Sequence, residues 1–235
     1  MIVLSLNDYE KPSVTTDIIL FRVANKESEN TRRNAMKELQ VLLVSRDKEP
    51  DMGKWSIPGG FVDIDEDIEE NVFRKLRIKT GVHGDFYFEQ LYSWGKVNRD
   101  SRGRVISISY LGLCTDADYT VETCEMKARW MNVYDVLNGN YGELAFDHKE
   151  IIQYALERIK NKIEYTDIAF HLLPDTFTIR ECQDVYELIL GKQLYNFRRN
   201  IAEYIEPTDE VRKIEGKQFR PSALYKVKEN KTSKF

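Results

Sequence analysis

The run Pro58-Gly59-Gly60 and the amphipathic segment after it constrain this chain more than any other stretch. Two adjacent glycines after a proline indicate a turn whose backbone needs the freedom that only glycine supplies. Apolar residues then recur at helical spacing, at Ile68, Val72, Phe73 and Leu76. Carboxylates crowd the first turns of this segment and basic residues the last, as the helix dipole favours, and Gly81 can cap its end. The pattern predicts a glycine-rich loop that leads into a helix over residues 66–80.

Strand patterns surround this loop and helix. Five segments alternate or run apolar, at residues 16–21, 39–45, 86–94, 105–114 and 127–131. The tetrapeptide Asp147-His148-Lys149-Glu150 has a capping-box pattern and is predicted to open a helix that runs to about Lys160. Strands mixed with two helices predict an α+β first domain, to which we assign residues 1–160.

Residues 161–235 form a shorter and mainly helical second domain by the same criteria. A first helix is predicted over Asp167–Leu173, because Pro174 then stops it. A second helix is predicted to begin at the capping box Thr178-Ile179-Arg180-Glu181 and to end at Gly191.

The remainder of this second domain predicts a third helix and a hairpin. Leu194, Phe197 and Ile201 repeat at i, i+3 and i+7, so a helix would bury that stripe. Residues 218–228 are predicted to form a strand pair around Pro221. Three helices followed by a basic hairpin predict a winged helix-turn-helix.

Charge divides the chain in the same way. The sequence carries a net charge of −4, but residues 192–235 hold eleven Lys or Arg against six Asp or Glu. That segment therefore carries +5 and the rest −9. Nucleic acid would repel the acidic part and attract the basic one, although a solvated basic tail would give the same count.

Composition excludes several classes of protein. No apolar run approaches the roughly 20 residues of a membrane span, and the first residues lack the features of a signal peptide. Three cysteines and three histidines are scattered without the spacing of a metal site. We therefore expect a cytoplasmic protein that binds no membrane and no structural zinc.

Specific motifs connect the first domain to a known family. The spacing Gly60-x5-Glu66-x7-Arg74-x-Leu76-x4-Gly81-Val82 resembles the Nudix box over 23 residues. Other segments resemble the Nudix-related transcriptional regulators of the NrtR type, namely Gly103–Tyr110, Ala145–His148, Leu172–Thr178 and, in the wing, Arg220–Tyr225. The resemblance implies a Nudix-fold mixed sheet with flanking helices, followed by a winged helix-turn-helix. Members of that family repress genes of NAD metabolism and sense ADP-ribose, and relatives sense sugars such as arabinose.

The chain departs from the Nudix pattern at the metal site. Active members place carboxylates at the positions of Lys75, Ile78 and Lys79. Mg²⁺ needs anionic oxygen ligands, and an ammonium group repels it. The sequence therefore predicts no metal, no cofactor and no catalytic residues, and so no enzyme. We expect Lys75 and Lys79 to be exposed and to complement the helix C-terminus; the alternative is that they face the emptied cleft and pair with a ligand.

The loops and strand ends around the expected cleft carry arginines and aromatic rings. Aromatic rings can stack on a base or a sugar, and arginine forms two parallel hydrogen bonds with a phosphate. We expect an effector that is an ADP-ribose-like nucleotide or a sugar, bound by residues chosen from Arg46, Trp55, Phe61, Tyr92, Trp94, Asp100, Arg102 and Arg104. Trp55 and Phe61 fit equally well in the core, and His148 is interpreted as part of a helix start.

The outer face of the third helix and the wing are the candidate DNA-binding surface. The apolar stripe must face the core, which turns Arg198 and Arg199 outward. The candidate residues are Tyr195, Asn196, Arg198, Arg199, Lys217, Arg220 and Lys226.

These features together predict a ligand-responsive transcriptional repressor. We expect a homodimer on a palindromic operator, because two-fold protein symmetry matches two half-sites. Two alternatives remain open. One is a Nudix hydrolase that cleaves ADP-ribose or a related nucleoside diphosphate derivative, and the other is a protein-binding scaffold, which leaves the basic second domain unexplained.

Overall fold

The structure is a computed structural model that describes residues 9–26, 37–84, 86–115, 127–212 and 221–228. Within those ranges no helix is both long enough and apolar enough to cross a membrane. Nine strands and five α-helices are defined in the same ranges, together with a 3-10 helix at Ile168–Leu172.

Seven strands form one mixed sheet. They are β1 (Ser13–Asn25), β2 (Lys37–Ser45), β3 (Trp55–Ser56), β4 (Gly59–Phe61), β5 (Tyr87–Trp94), β6 (Val105–Cys114) and β7 (Ala128–Asn132). The main order is β3-β2-β1-β6-β5, with β4 also paired to β1 and β7 to β2. β1 and β6 run parallel and the other pairs antiparallel. The five predicted strands are confirmed, whereas the sequence pattern missed the two short strands within the glycine-rich loop.

Both faces of this sheet are covered by helices. Along β1, Ile18 and Leu20 face a core with α1 (Ile68–Thr80), while Ile19 and Phe21 face a core with α3 (His148–Lys162). Successive side chains of a strand point to opposite faces, so a central strand buried on both faces is continuously apolar. The predicted α+β class and Nudix-type mixed sheet are confirmed.

The ends of the two long helices differ from each other. Gly81 caps α1 with φ +75°, and its N–H donates to the carbonyl of Arg77, as the sequence predicts. The predicted capping box at the start of α3 is wrong, because the Asp147 side chain makes no capping hydrogen bond. That carboxylate pairs with Arg99 instead, and Glu150 pairs with Lys96.

The second domain packs three short helices against a hairpin. The predicted first helix is the 3-10 helix, and α4 (Ile179–Leu190) begins at a complete capping box of Thr178 and Glu181. The third predicted helix is shorter than its apolar stripe suggests, because α5 spans only Phe197–Ile201. The loop residue Leu194 is held from α4 instead, since its N–H donates to Glu187 and its carbonyl accepts from Gln183.

The wing consists of β8 (Ile205–Arg212) and β9 (Ser222–Val227). The predicted strand pair within residues 218–228 is therefore wrong in its first strand, which comes directly after α5. Tyr225 of β9 also exchanges two backbone hydrogen bonds with Phe177, of 2.9 and 2.8 Å. These bonds attach the wing to the segment that leads into α4.

The two parts of the chain share a continuous core. One buried cluster runs from the sheet through Ile151 and Ile159 of α3 to Cys182 and Val185 of α4. The short helix α2 (Val133–Leu137) joins it, and the Tyr134 hydroxyl donates to the carbonyl of Leu188 at 3.3 Å. The boundary at residue 160 falls within the last turn of α3 and stays a prediction.

Candidate ligand-binding cleft and nucleic-acid interface

A cleft of about 370 Å³ opens where α1, the glycine-rich loop and three other loops converge over β1. Thr15 and Asp17 of β1 line it. The Thr15 hydroxyl oxygen is buried and has no hydrogen-bond partner among the residues that the structure describes. A wider depression of about 1050 Å³ adjoins the cleft and shares Arg99 and Phe146 with it, so a ligand larger than the cleft has room to extend.

One wall of the cleft combines guanidinium groups with aromatic rings. The Arg46 guanidinium lies 4.6 Å from the centre of the Phe146 ring. The Arg102 guanidinium lies 5.0 Å from the Phe61 ring and 5.7 Å from the Phe146 ring. This arrangement holds both cations over aromatic faces, and Phe61 is 38% exposed, so part of its ring is accessible to a planar group.

Hydrogen bonds hold both arginines in place. Arg102 donates to the buried Asp100 carboxylate through two nitrogens, at 3.0 and 2.6 Å, and this bond lowers the pKa of Asp100. Arg46 donates to the carbonyls of Pro50 and Lys48, at 2.7 and 3.2 Å. Burial, and then the charge of Arg102, lower the pKa of Arg46. Two cations near each other make this wall attractive to an anion.

Phe146 has an unusual backbone conformation. Its φ is +52°, a left-handed value that residues with a bulky side chain rarely adopt. Asp51, with φ +64°, accepts the Phe146 N–H at 3.1 Å and so helps to hold it there. Non-glycine residues in this region cost about 1–3 kcal/mol and concentrate at functional sites. The strain presents the Phe146 ring to the two arginines.

A buried ionic network lies beneath the wall. Arg99, whose side chain is 4% exposed, donates to Asp147 at 3.0 and 2.7 Å and lies 4.0 Å from Asp17. His148 Nδ1 accepts the N–H of Ile57 at 2.9 Å, so the imidazole carries its proton on Nε2, which lies 3.9 Å from Asp17. Burial lowers the pKa of His148. The network fixes the start of α3 relative to β1.

Lys75 and Lys79 line the cleft together with Ile78. The expectation that the two lysines are exposed is therefore wrong, because both are half-buried on the face of α1 that looks across at the glycine-rich loop. A Cβ atom at Gly60 would lie 3.0 Å from Cδ and Cε of Lys75, so this glycine leaves room for the lysine stem. Burial is the first cause that lowers the pKa of Lys79.

The donor set at this face does not fit a divalent cation. Two ammonium groups and a hydrocarbon replace the oxygen ligands that Mg²⁺ needs. Glu66 is engaged by Arg74 and Asn71, and the hydrogen bond from Arg74 lowers its pKa to about 2. Among the described residues no three His, Cys, Asp or Glu are grouped to hold a metal ion.

The structure brings together four of the eight residues predicted for ligand binding. Arg46, Phe61, Asp100 and Arg102 all line the cleft, at the loop ends where the sequence placed them.

The prediction is wrong for the other four, because Trp55, Tyr92, Trp94 and Arg104 do not line the cleft. Trp55 packs against the core of the sheet. Trp94 is 6% exposed, and its indole N–H donates to Ser109 at 2.8 Å. Tyr92 is exposed and contacts the rings of Trp94 and Tyr154. Arg104 donates to the carbonyls of Gly95 and Lys96 on the surface.

Asp17, Arg99 and Phe146 line the cleft although they were not predicted to, and so does His148, which was predicted only to be part of a helix start. Asp17 offered a signal, because a carboxylate within a continuous apolar strand is rarely buried without a partner. Arg99 offered none, because it looks like any charged residue of a polar turn. Phe146 lies within a motif, but its left-handed backbone cannot be read from the sequence.

The candidate nucleic-acid face consists of α5 and the wing. Arg198 and Arg199 are exposed on α5, opposite the buried Phe197 and Ile201. Arg198 donates to the hydroxyl of Tyr225 on β9 at 3.2 Å, which braces it against the wing.

The remaining candidates for this face are placed as follows. Tyr195, 80% exposed, and Asn196, with φ +55°, precede α5 rather than belonging to it. Lys226 is engaged with Glu206 at 3.1 Å. Lys217 and Arg220 lie outside the described residues.

Family models match both parts of the chain. Residues 31–155 match the NUDIX domain, and residues 169–227 match the NrtR DNA-binding winged helix domain. The two matches together leave only the ends and residues 156–168 unassigned.

Individual proteins are similar over nearly the whole length. The chain is 35% identical over 227 residues to the ADPR responsive transcriptional repressor NtrR of Acinetobacter baylyi, covering 94% of this chain and 84% of that protein. The crystal structure of Shewanella oneidensis NrtR complexed with a 27mer DNA has a TM-score of 0.71 at 33% identity, covering 92% of this chain and 93% of that one. The NUDIX domain of the same NrtR, in a cocrystal with ADP ribose, has a TM-score of 0.53 at 33% identity, covering 66% of this chain and 94% of that one.

Proposed function

The chain belongs to the family of NUDIX-domain transcriptional regulators with an NrtR-type winged helix, and from that premise we propose that it is a repressor controlled by ADP-ribose or a closely related nucleotide. In this proposal the winged helix binds operator DNA, the cleft binds the effector, and the bound effector lowers the affinity for DNA.

The cationic cleft carries the proposal for the effector. Six Lys or Arg side chains line it against four carboxylates, a net charge of +2 within a part of the chain that carries −9. Arg46 and Arg102 lie over the Phe146 ring, beside Phe61. A free pentose has neither the charge nor the flat face that this wall suits, whereas a nucleoside diphosphate sugar has both. The relatives bound to ADP ribose and named for their response to it agree with this choice.

We further propose that the cleft does not hydrolyse the effector. Metal-assisted cleavage of a diphosphate uses carboxylate-bound cations to activate water and neutralise charge. Lys75, Ile78 and Lys79 supply no oxygen ligand for such a cation. The assembly is expected to be a homodimer on a palindromic operator, in the cytoplasm where the chromosome is accessible.

Fluorescence anisotropy on DNA fragments from upstream of the protein's own and neighbouring genes tests the regulator. The protein should bind one fragment far more tightly than random DNA of equal length. ADP-ribose should release it, while arabinose and ribose should not. Failure to bind any such fragment, with or without these compounds, contradicts the proposal. If a pentose releases the DNA and ADP-ribose does not, the effector is the pentose.

The alternative function, hydrolysis of ADP-ribose by this protein, can be tested directly. The protein should release no AMP from ADP-ribose in the presence of Mg²⁺ or Mn²⁺. Turnover that a chelator abolishes, and that Glu66→Gln also removes, would establish the hydrolase instead.

A further inference from the structure

Two of the three lysines that line the cleft, Lys75 and Lys79, have no neutralising partner among the residues that the structure describes. Neither Lys75 nor Lys79 makes a hydrogen bond or an ion pair with any residue that the structure describes. The other cations of the wall and network are engaged, Arg46 with carbonyls, Arg99 with Asp147 and Arg102 with Asp100. A half-buried ammonium without a partner is unfavourable, so these two groups are available for a ligand.

The carboxylates near the lysines do not fill this role. Asp17 accepts a hydrogen bond from the Ser107 hydroxyl and lies beside Arg99, and Asp100 is held by Arg102. Asp47 and Glu49 are exposed at the rim of the cleft. Burial lowers the pKa of Lys79, and the charges of Arg46 and Lys75 lower it further while Asp17 raises it. An anion bound here would favour the charged form of Lys79.

The geometry places both ammonium groups on one side of the cleft. Residues at i and i+4 share one face of a helix, and Lys75 and Lys79 are so spaced on α1. The Lys75 stem packs against the glycine-rich loop at Gly60, where a Cβ atom would press on its Cδ and Cε at 3.0 Å. Arg46 and Arg102, which also line the cleft, both lie over the Phe146 ring.

We propose that Lys75 and Lys79 form a diphosphate subsite that takes over the charge of the absent divalent cation, so that the effector binds without any metal. This inference rests on the proposed function for the nucleotide part of the effector, but the subsite itself requires only a diphosphate. Lysine binds phosphate as a compact point charge and needs no bridging ion.

Titration calorimetry with ADP-ribose tests the metal independence. The Kd should be the same within about twofold in excess EDTA and in Mg²⁺. Lys75→Gln and Lys79→Gln should each weaken binding by about ten- to a hundredfold, the range for a lost charged hydrogen bond. Lys75→Arg and Lys79→Arg should retain most of the affinity. Arg77→Gln removes one positive charge from the same helix outside the cleft and should leave the Kd unchanged.

Two probes separate failure of the subsite from failure of the proposed function. Adenosine, which has no phosphate, should bind weakly and equally to wild type and to both glutamine variants. Inorganic pyrophosphate should bind in EDTA and should depend on both lysines.

Each outcome has one meaning. If ADP-ribose binds only with Mg²⁺, or binds both glutamine variants with the wild-type Kd, the subsite is overturned and the effector assignment stands. If pyrophosphate binds through the lysines but ADP-ribose does not bind, the subsite stands and the effector assignment fails. If neither ligand binds wild type, both are overturned. Thermal melting of each variant shows whether a loss of binding reflects unfolding.

Discussion

At the scale of single residues, the cleft depends on charges that are buried in pairs. Arg99 donates two hydrogen bonds to the Asp147 carboxylate in a place where the arginine side chain is 4% exposed. Removing one partner of such a pair leaves the other charge buried and uncompensated, which costs more than the pair itself contributes. The same turn of α3 offers an exposed pair for comparison, between Lys96 and Glu150.

Asp147→Ala should therefore lower the free energy of unfolding by about 3–5 kcal/mol, because Arg99 keeps its charge in a buried place. Glu150→Ala, the matched control, should change it by about 0–1 kcal/mol. Urea denaturation followed by circular dichroism measures both. Equal effects of the two variants would show that the Arg99 site is hydrated in solution.

His148 predicts a dependence of stability on pH. Burial lowers its pKa in the folded protein, so between the folded pKa and the unfolded value of about 6.5 only the unfolded chain gains the proton. Stability from this group is complete above about pH 6.5 and is lost as the pH falls below it, with a slope of at most about 1.4 kcal/mol per pH unit.

The variant His148→Asn tests this assignment. Asn offers an acceptor near the position of Nδ1 for the N–H of Ile57 but does not titrate. Urea denaturation between pH 7 and 5 should show a smaller loss of stability in the variant than in wild type. His171, whose pKa burial also lowers, remains in both proteins and cancels from the comparison. Parallel pH profiles would contradict a neutral buried His148.

Some of these residue assignments could be made from the sequence and others could not. Arg46, Phe61, Asp100 and Arg102 were predicted because polar loop ends next to a glycine-rich turn meet at the cleft. The position of the Lys75 and Lys79 side chains in the cleft could not be predicted from the sequence. Basic residues at those positions suit the C-terminal end of the helix dipole as well as they suit a role in the cleft. Only the position of α1 against the glycine-rich loop distinguishes them.

At the scale of elements, local signals located most helices, and tertiary contacts changed the details. The capping box of Thr178 and Glu181 at the start of α4 is complete, because one carboxylate oxygen of Glu181 accepts the Thr178 N–H while the other pairs with Arg212. The similar pattern at Asp147 fails because Arg99, 48 residues away, takes the carboxylate. The apolar spacing of Leu194 and Phe197 suggested one helix, but side chains of α4 hold Leu194 in a loop.

The pairing of α5 with the wing predicts different roles for its two arginines. Arg198 is braced by the Tyr225 hydroxyl, whereas Arg199 makes no side-chain hydrogen bond with the described residues. A fixed guanidinium suits bidentate contact with a base, and a free one suits phosphate. Arg198→Ala should cost about 1–3 kcal/mol on the operator and relax specificity, while Arg199→Ala should weaken all DNA and reduce the salt slope by about one.

Salt titrations of operator and random DNA measure these roles, with circular dichroism as the check on folding. Tyr225→Phe is the matched control, since it should weaken specific binding only when Arg198 is present. If the double arginine variant stays folded and binds the operator as wild type does, α5 is not the recognition helix.

At the scale of the whole molecule, α3 connects the cleft to the winged helix. At its start His148 lines the cleft and Asp147 lines the adjoining depression, and the helix is about 22 Å long at 1.5 Å per residue. At its end Lys162 pairs with Glu89 of β5, which also accepts a hydrogen bond from the Tyr87 hydroxyl. The Tyr87 ring in turn stacks on His171 of the 3-10 helix, 4.4 Å between centres. The path cannot be read from the sequence, because the contacts of Lys162 with Glu89 and of Tyr87 with His171 join residues more than 70 positions apart.

This path predicts a variant that separates binding from regulation. Lys162→Met removes the ion pair with Glu89 while keeping the apolar stem, so the last turn of α3 loses this contact with the sheet, while Arg158 one turn earlier still donates to the carbonyl of Leu91. ADP-ribose and operator should each bind the variant with a Kd within about threefold of wild type, but ADP-ribose should no longer raise the operator Kd by the full wild-type factor. Coupling between two ligands is reciprocal, so anisotropy on DNA and calorimetry with ADP-ribose must report the same reduced factor. Lys160→Met is the matched control and should keep full coupling, because among the described residues Lys160 pairs only with the exposed Glu157 of the same helix. Full coupling in Lys162→Met would show that the coupling does not run through this ion pair. An equal loss of affinity for ADP-ribose and for the operator would mean that the variant has damaged the fold rather than the connection between the cleft and the winged helix.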